Sequence, residues 1–336
     1  TSITTLIKIK KNINSGNYLI MIKNRRAFIV GIKSTILSKK EKKFLKKYKP
    51  WGVILFSRNL KEFKQIKKLT SDIRLIFRDK KYPILTDQEG GRVNRLNNLI
   101  EASVFTAEYF GNLYKKNKYK FNNYYKVYID QISYLLNELG ININTVPVLD
   151  VRKLKSSNII GDRSYSTIAE NVSKIGNFCI KEFKKNRLGT VIKHIPGHGL
   201  TNVDSHKKTP IVNFKYRYLF KNDFSTFKNK KSLFAMTAHV IYKDIDPINT
   251  ATQSSKIIKL IRKKIGFKNL IISDDISMKA LKGNIKINTL RAISAGCNLI
   301  LHCNAKYSEM RIVAENSPSV DNFIIKKTSQ FYNFLS

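Results

Sequence analysis

Three cysteines, seven prolines and 23 acidic residues against 63 basic ones mark what this 336-residue sequence has little of. Cys179, Cys297 and Cys303 form no CxxC pair and leave an odd thiol, which argues against a disulfide framework and fits a reducing cytoplasm. No stretch rich in Gly, Pro or Ser divides the chain, so no linker separates two domains. No run of about 18 apolar residues occurs, so no membrane span is expected. No GxGxxG follows the first apolar run, which weakens a dinucleotide-binding reading. Residues 1–24 have neither a continuous apolar region nor a small-residue cleavage site of the signal-peptide kind. They are expected to be a poorly ordered or non-native N-terminal extension, with Met21 as an alternative start, ahead of one catalytic domain over 25–336.

The shortage of acid leaves a net charge of +40. A nucleic acid or an anionic membrane surface is the sharp reading of such an excess. Yet the lysines run through the whole chain, as in KKEKKFLKKYK (39–49) and KKNKYK (115–120), and no arginine-rich or aromatic-interleaved stripe stands out. They read as a solvated surface, and no nucleic-acid partner is expected.

What the sequence does have is order. Eight short apolar runs recur: AFIVGI (27–32), WGVILF (51–56), YPILTD (82–87), NTVPVLDV (144–151), GTVIKH (189–194), LFAMTAHV (233–240), NLIISDD (269–275) and CNLILHC (297–303). Each is too continuous for a half-exposed strand and reads as a buried parallel one. Between them, apolar residues step by three or four, as at Phe63, Ile66, Leu69, Ile73 and Ile76, or Ile168, Val172, Ile175 and Cys179. Strand and helix alternating eight times predict a single α/β domain, a closed (β/α)₈ TIM-type barrel. The stretch 115–125 reads as a surface excursion.

In such a barrel the loops after the strands build the site. Asp87, Asp150, Lys193 with His194, His239, and Asp274 with Asp275 end five consecutive runs. A buried strand has no structural need to finish in a charge. TDQEGGRVNRL (86–96) adds acid and arginine suited to gripping a polar ligand, and IIGDRSYS (159–166) repeats Gly, Asp and Arg before a helix. The stretch KHIPGHGLTNVDSH (193–206) holds three of the five histidines. A metal reading needs two of them on one helical face, which Pro196, Gly197 and Gly199 deny. A catalytic reading has Asp204 fixing the tautomer of His206, whose ordinary pKa of about 6.5 lets it give or take a proton near neutrality. An ordinary loop histidine remains the structural reading. In LIISDDISMKAL (270–281), one acid can face the barrel mouth while the other caps the following helix.

Together ILFSRN (54–59), DQEGGRVNRL, PVLDV, IGDRSYS, KHIPGHGLTNVDSH, AHVIY (238–242) and SDDISMKAL resemble the family 3 glycoside hydrolases, in the bacterial β-N-acetylglucosaminidase branch that recycles peptidoglycan. The pieces span about 27–303 in the family's order. Ile195 departs from the family's usual aromatic, and 32–38 lacks an expected glycine.

The resemblance implies Asp274 as nucleophile and His206 as general acid/base with Asp204 as its partner. It implies Asp87, Arg95, Arg163, Lys193 and His194 as the grip on the sugar's hydroxyl and N-acetyl groups. His198 and His239 stand behind them. No metal and no cofactor are implied. The implied substrate is a muropeptide or GlcNAc-containing oligosaccharide, cleaved with retention by a cytoplasmic protein expected to be a monomer. Phosphorolysis by the same residues is the near alternative. A basic nucleic-acid-binding protein on an inactive barrel is the one from another class, and a metal-dependent barrel hydrolase a third.

Overall fold

A computed structural model describes residues 21–153, 159–201 and 208–336. All eight apolar runs become strands of one closed parallel barrel. They are β1 (Arg26–Gly31), β2 (Pro50–Leu55), β3 (Ile84–Thr86), β4 (Ile143–Asn144), β5 (Gly189–Ile195), β7 (Phe234–Thr237), β9 (Leu270–Asp275) and β10 (Leu299–His302). Around the barrel the order is β1-β10-β9-β7-β5-β4-β3-β2, so β9 lies diametrically across from β3. Two short strands, β6 (Ile211–Val212) and β8 (Ile241–Tyr242), pair parallel to each other outside the barrel.

Side chains alternate between two cores, as period-2 geometry demands. In β1, Phe28 and Val30 face the helical layer while Ala27 and Ile29 join Trp51, Leu85, Val191, Phe234, Leu270 and Leu299 in the second cluster. That inner cluster runs on into the C-terminal helix α10 (Asn322–Phe334), where Trp51 donates Nε1–H to Thr328 at 2.8 Å and Phe331 packs edge-on against Phe234. The expected helices form at Phe63–Phe77 (α2) and Ala169–Lys185 (α5); Ile66, Leu69, Ile73, Val172, Ile175 and Cys179 of the stepping residues are buried, while Phe63 and Ile168 at the starts are exposed. Helix α1 (Lys39–Tyr48) is almost all lysine outside. It starts because Ser38 and Glu41 close a capping box, and it holds because Phe44, Leu45 and Tyr48 are buried.

Three expectations are corrected. Of the fourth run only Asn144 pairs in the strand, together with Ile143 just before it; Pro147 has no N–H to donate to a ladder, and pairing resumes as a single bridge from Val148 to Lys193. The 115–125 stretch is no irregular excursion but the junction of α3 (Ala107–Lys116) and α4 (Lys118–Glu138), with the Asn117 side chain capping the second. Of the segment expected to be disordered, residues 1–20 lie outside the described residues, whereas Met21–Lys23 are helical and Ile22 is fully buried in the inner cluster.

Candidate active site

The C-terminal ends of β2, β3, β5, β9 and β10 surround an open cavity of about 220 Å³. Asp87, Arg95, Arg163, Lys193, His194 and Asp274 all line it. Proposed from four separate stretches of the sequence, these six residues meet in one mouth.

On the β3–β5 side they interlock. Asp87 accepts from Arg95 at 2.9 Å, from Thr145 Oγ1 at 2.5 Å and from the Lys193 ammonium. Glu89 takes Arg163 in a two-pronged grip at 2.7 and 2.8 Å and Lys193 at 2.6 Å. Burial pushes the Asp87 carboxyl up, but Lys193, Arg95 and Arg163 outweigh it and hold the acid far below the usual range. Glu89 is likewise raised by burial and, on balance, lowered by Arg163 and Lys193. Both acids are therefore ionised acceptors beside fixed donors, an arrangement that matches adjacent sugar hydroxyls.

His194 is fixed from behind. Asp150, fully buried, accepts from His194 Nδ1 at 2.7 Å and from the backbone N–H groups of His194 and His198 at 3.2 and 2.7 Å. An ionised carboxylate only accepts, so Nδ1 carries the proton of that hydrogen bond. Burial pushes Asp150 up, but the His194 contacts bring it below its ordinary value. His198 packs edge-on against His194 at 5.7 Å; burial and that neighbour depress it to about 4, so it stays neutral. His239 is held between Thr252 Oγ1 at 2.7 Å and the Asp275 carbonyl at 2.9 Å.

The two acids ending β9 divide their work. Asp275 accepts from the Ser277 N–H and hydroxyl at 3.0 and 2.8 Å and from the Cys303 N–H at 3.3 Å, so it ties the loop together. Among the described residues Asp274 accepts one hydrogen bond, from the Asp275 N–H at 2.8 Å, and it lines the cavity. Burial raises it, but His239 and His194 nearby bring it below the ordinary carboxylate value. It is an ionised acid short of partners, which is what a nucleophile requires.

His206 and Asp204 lie outside the described residues. Their flanks are described: the His198 N–H is held by Asp150, Thr201 bonds back to His198, Thr209 Oγ1 donates to the Ala280 carbonyl at 2.7 Å, and β6 then pairs with β8. Sequence reasoning missed Glu89 and Thr145 and left Asp150 outside the site. Glu89 was in view inside DQEGGR, but its partner is 74 residues away in the chain, and only the barrel's closure joins them.

A polar cup on one wall and a charged acid on the wall facing it suit the breaking of a glycosidic bond, and the protein is a glycoside hydrolase. The glycosyl hydrolase family 3 N terminal domain matches residues 17–328. The chain is similar to the beta-hexosaminidase of Psychromonas ingrahamii, 30% identical over 316 residues that cover 91% of this chain and 89% of that one. Native NagZ from Neisseria gonorrhoeae superimposes with a TM-score of 0.81 at 27% identity, covering 93% of this chain and 90% of that one. The same protein in complex with N-trifluoroacetyl-D-glucosamine gives 0.79 at 26% identity, with the same coverages. The chain belongs to glycosyl hydrolase family 3.

Proposed function

We propose that this protein is a retaining exo-β-N-acetylglucosaminidase. It removes terminal β-1,4-linked GlcNAc from peptidoglycan fragments such as GlcNAc–1,6-anhydro-N-acetylmuramic acid muropeptides, in the cytoplasm and as a monomer. The barrel of residues 25–336 is the whole catalytic unit. The observation that carries the reading is Asp274: ionised, nearly unpartnered, and across the mouth from the Asp87–Lys193–Arg163 cluster. Support for the sugar comes from the relatives, one named a beta-hexosaminidase and one bound to an N-acylated glucosamine analogue. The three free cysteines fit a reducing compartment.

In this reading the non-reducing hydroxyls enter the polar cup and the anomeric carbon faces Asp274. Asp274 attacks that carbon as His206, steered by Asp204, protonates the departing oxygen; His206 then takes a proton from water, which releases β-GlcNAc with retention. A histidine in place of the usual second carboxyl avoids setting two like charges beside one another. Asp274→Asn should abolish turnover of an aryl β-N-acetylglucosaminide. His206→Ala should slow substrates with poor leaving groups by about 10²–10⁴-fold and activated aryl glycosides far less. Equal loss on both classes would count against His206. Product analysis in phosphate buffer reads the reaction: free β-GlcNAc supports hydrolysis, and GlcNAc-1-phosphate would replace it with phosphorolysis.

A further inference from the structure

Asp223 takes no part in the chemistry above, yet its carboxyl is buried against the loop that carries His198. The short 3-10 turn that follows it, Phe224–Phe227, is tied to the end of the fourth apolar run. Thr226 Oγ1 donates to the Leu149 carbonyl at 2.8 Å, and the Val151 N–H donates to Asp223 Oδ1 at 3.4 Å. From that base the carboxyl reaches the loop after β5. A Cβ on Gly197 would lie 2.7 Å from both Asp223 Cγ and Oδ2, so the Cα of this glycine rests on the carboxyl itself. The Tyr242 hydroxyl donates to the Gly197 carbonyl, and the next N–H along, that of His198, donates to Asp150 at 2.7 Å.

Two buried carboxyls thus serve one turn, and they differ in their partners. Asp150 accepts from the His194 ring and from two backbone N–H groups. Asp223 Oδ2 has no hydrogen-bond partner among the described residues. An ionised carboxylate so placed would be a buried charge with one long hydrogen bond, a costly state that a neutral acid avoids. Among the described residues the titratable groups that face Asp223 are Asp150 and Lys153, from the fourth run and just beyond it, and Tyr242 from β8. Burial and the Asp150 charge outweigh the Val151 N–H and Lys153, and the carboxyl is pushed up to about 8. Tyr242, raised well above its ordinary value by burial, stays neutral beside it.

We propose that Asp223 is a positioning residue for sugar binding: its carboxyl seats the turn at Gly197 and His198, and through that turn it keeps Asp150 on the His194 ring. The inference rests on the cavity being the N-acetylglucosamine site. While Asp223 is neutral, the charge of Asp150 is directed at His194 and His198. Once Asp223 ionises, two buried carboxylates repel each other and compete for the same backbone N–H groups. The turn shifts, and His194 loses its fixed orientation toward the sugar.

The test reads binding without turnover, by fluorine NMR titration of N-trifluoroacetyl-D-glucosamine between pH 6 and pH 9. In wild type the Kd should hold from pH 6 to 7 and rise about tenfold by pH 9, because only the fraction of chains still neutral at Asp223 binds well. Asp223→Asn keeps the carboxyl's shape without its charge. Its Kd should match wild type within about twofold at pH 6 and stay level to pH 9. Asp223→Ala, which removes the seat, should bind about tenfold more weakly at pH 6, and the Asn variant decides the matter if the Ala variant does not fold. A rise with pH in Asp223→Asn equal to that of wild type overturns the assignment, as does a level wild-type profile. A wild-type chain that binds the sugar at no pH sinks the reading of the cavity itself. One that binds equally at pH 6 and pH 9 sinks the role of Asp223 alone.

Discussion

Asp223 is a buried carboxyl whose Oδ1 takes a long 3.4 Å hydrogen bond from the Val151 N–H and whose Oδ2 has no hydrogen-bond partner among the described residues. It lies against Gly197, in the glycine loop that follows β5. Burial, with the nearby Asp150 charge, pushes it up to about 8, so it is a neutral acid at pH 7. Because the folded state holds this proton far more tightly than the unfolded chain, the contribution of Asp223 to stability is greatest at low pH. It falls as pH rises from the ordinary carboxyl range toward about 8, and levels beyond. Asp223→Asn mimics the neutral acid and should flatten that slope: thermal melts at pH 5 and pH 8 should differ less in the variant than in wild type. An equal or steeper slope would refute a native-state proton on Asp223. Asp150 makes the opposite kind of site. Asp150→Ala frees the His194 ring and two loop N–H groups, and should cost about 10–100-fold in kcat/KM, as loss of charge-assisted bonds does. Among the cavity-lining residues, Asp87, Lys193 and His194 were legible in the sequence because each stands at the end of an apolar run, whereas Arg95 and Arg163 stand in the loops beyond. Their partners were not, since Glu89–Arg163 and Asp150–His194 depend on barrel register that no local pattern encodes.

At the scale of elements, periodicity carried nearly everything. Runs of β-branched residues became strands and three-four steps became helices. The exceptions have local causes: Pro147 cuts the fourth strand short, and Asn117 restarts a helix where charge density suggested a loop. The glycines in the loop after β5 answer a packing demand that composition does not reveal. A Cβ on Gly199 would run into the Val151 backbone carbonyl, and neither main chain can yield cheaply. Gly199→Ala should therefore displace the loop that leads to His206. The expected outcome is a lower kcat on substrates with poor leaving groups, with a stability loss of only about 1–3 kcal/mol in urea unfolding, the range for overpacking. Undiminished kcat would show that the loop's path does not govern the acid.

Across the whole molecule, the two ends of the described chain meet at the foot of the barrel. Arg25, 2% exposed, donates to Tyr332 Oη at 2.9 Å, pairs with Asp79 and lies 4.7 Å from the Tyr82 ring centroid; Tyr332 in turn donates to Asp79 at 2.5 Å. Removing one partner leaves a buried charge alone. Asp79→Ala should cost about 3–5 kcal/mol, while Arg25→Met/Asp79→Leu, which removes both charges, should recover most of it. Chemical denaturation of the two variants decides the matter, and a double variant no better than the single one would count against the pairing. None of this was visible beforehand, because Arg25, the first residue of the expected domain, carries no local signal that points to Asp79 or to Tyr332. The contact between Arg25 and Tyr332 joins residues 307 positions apart. Asp79 and Tyr82 can meet the cation early, 54 and 57 positions downstream, but only the last helix brings Tyr332 to close the cluster, so that helix acts as a latch on the first strand.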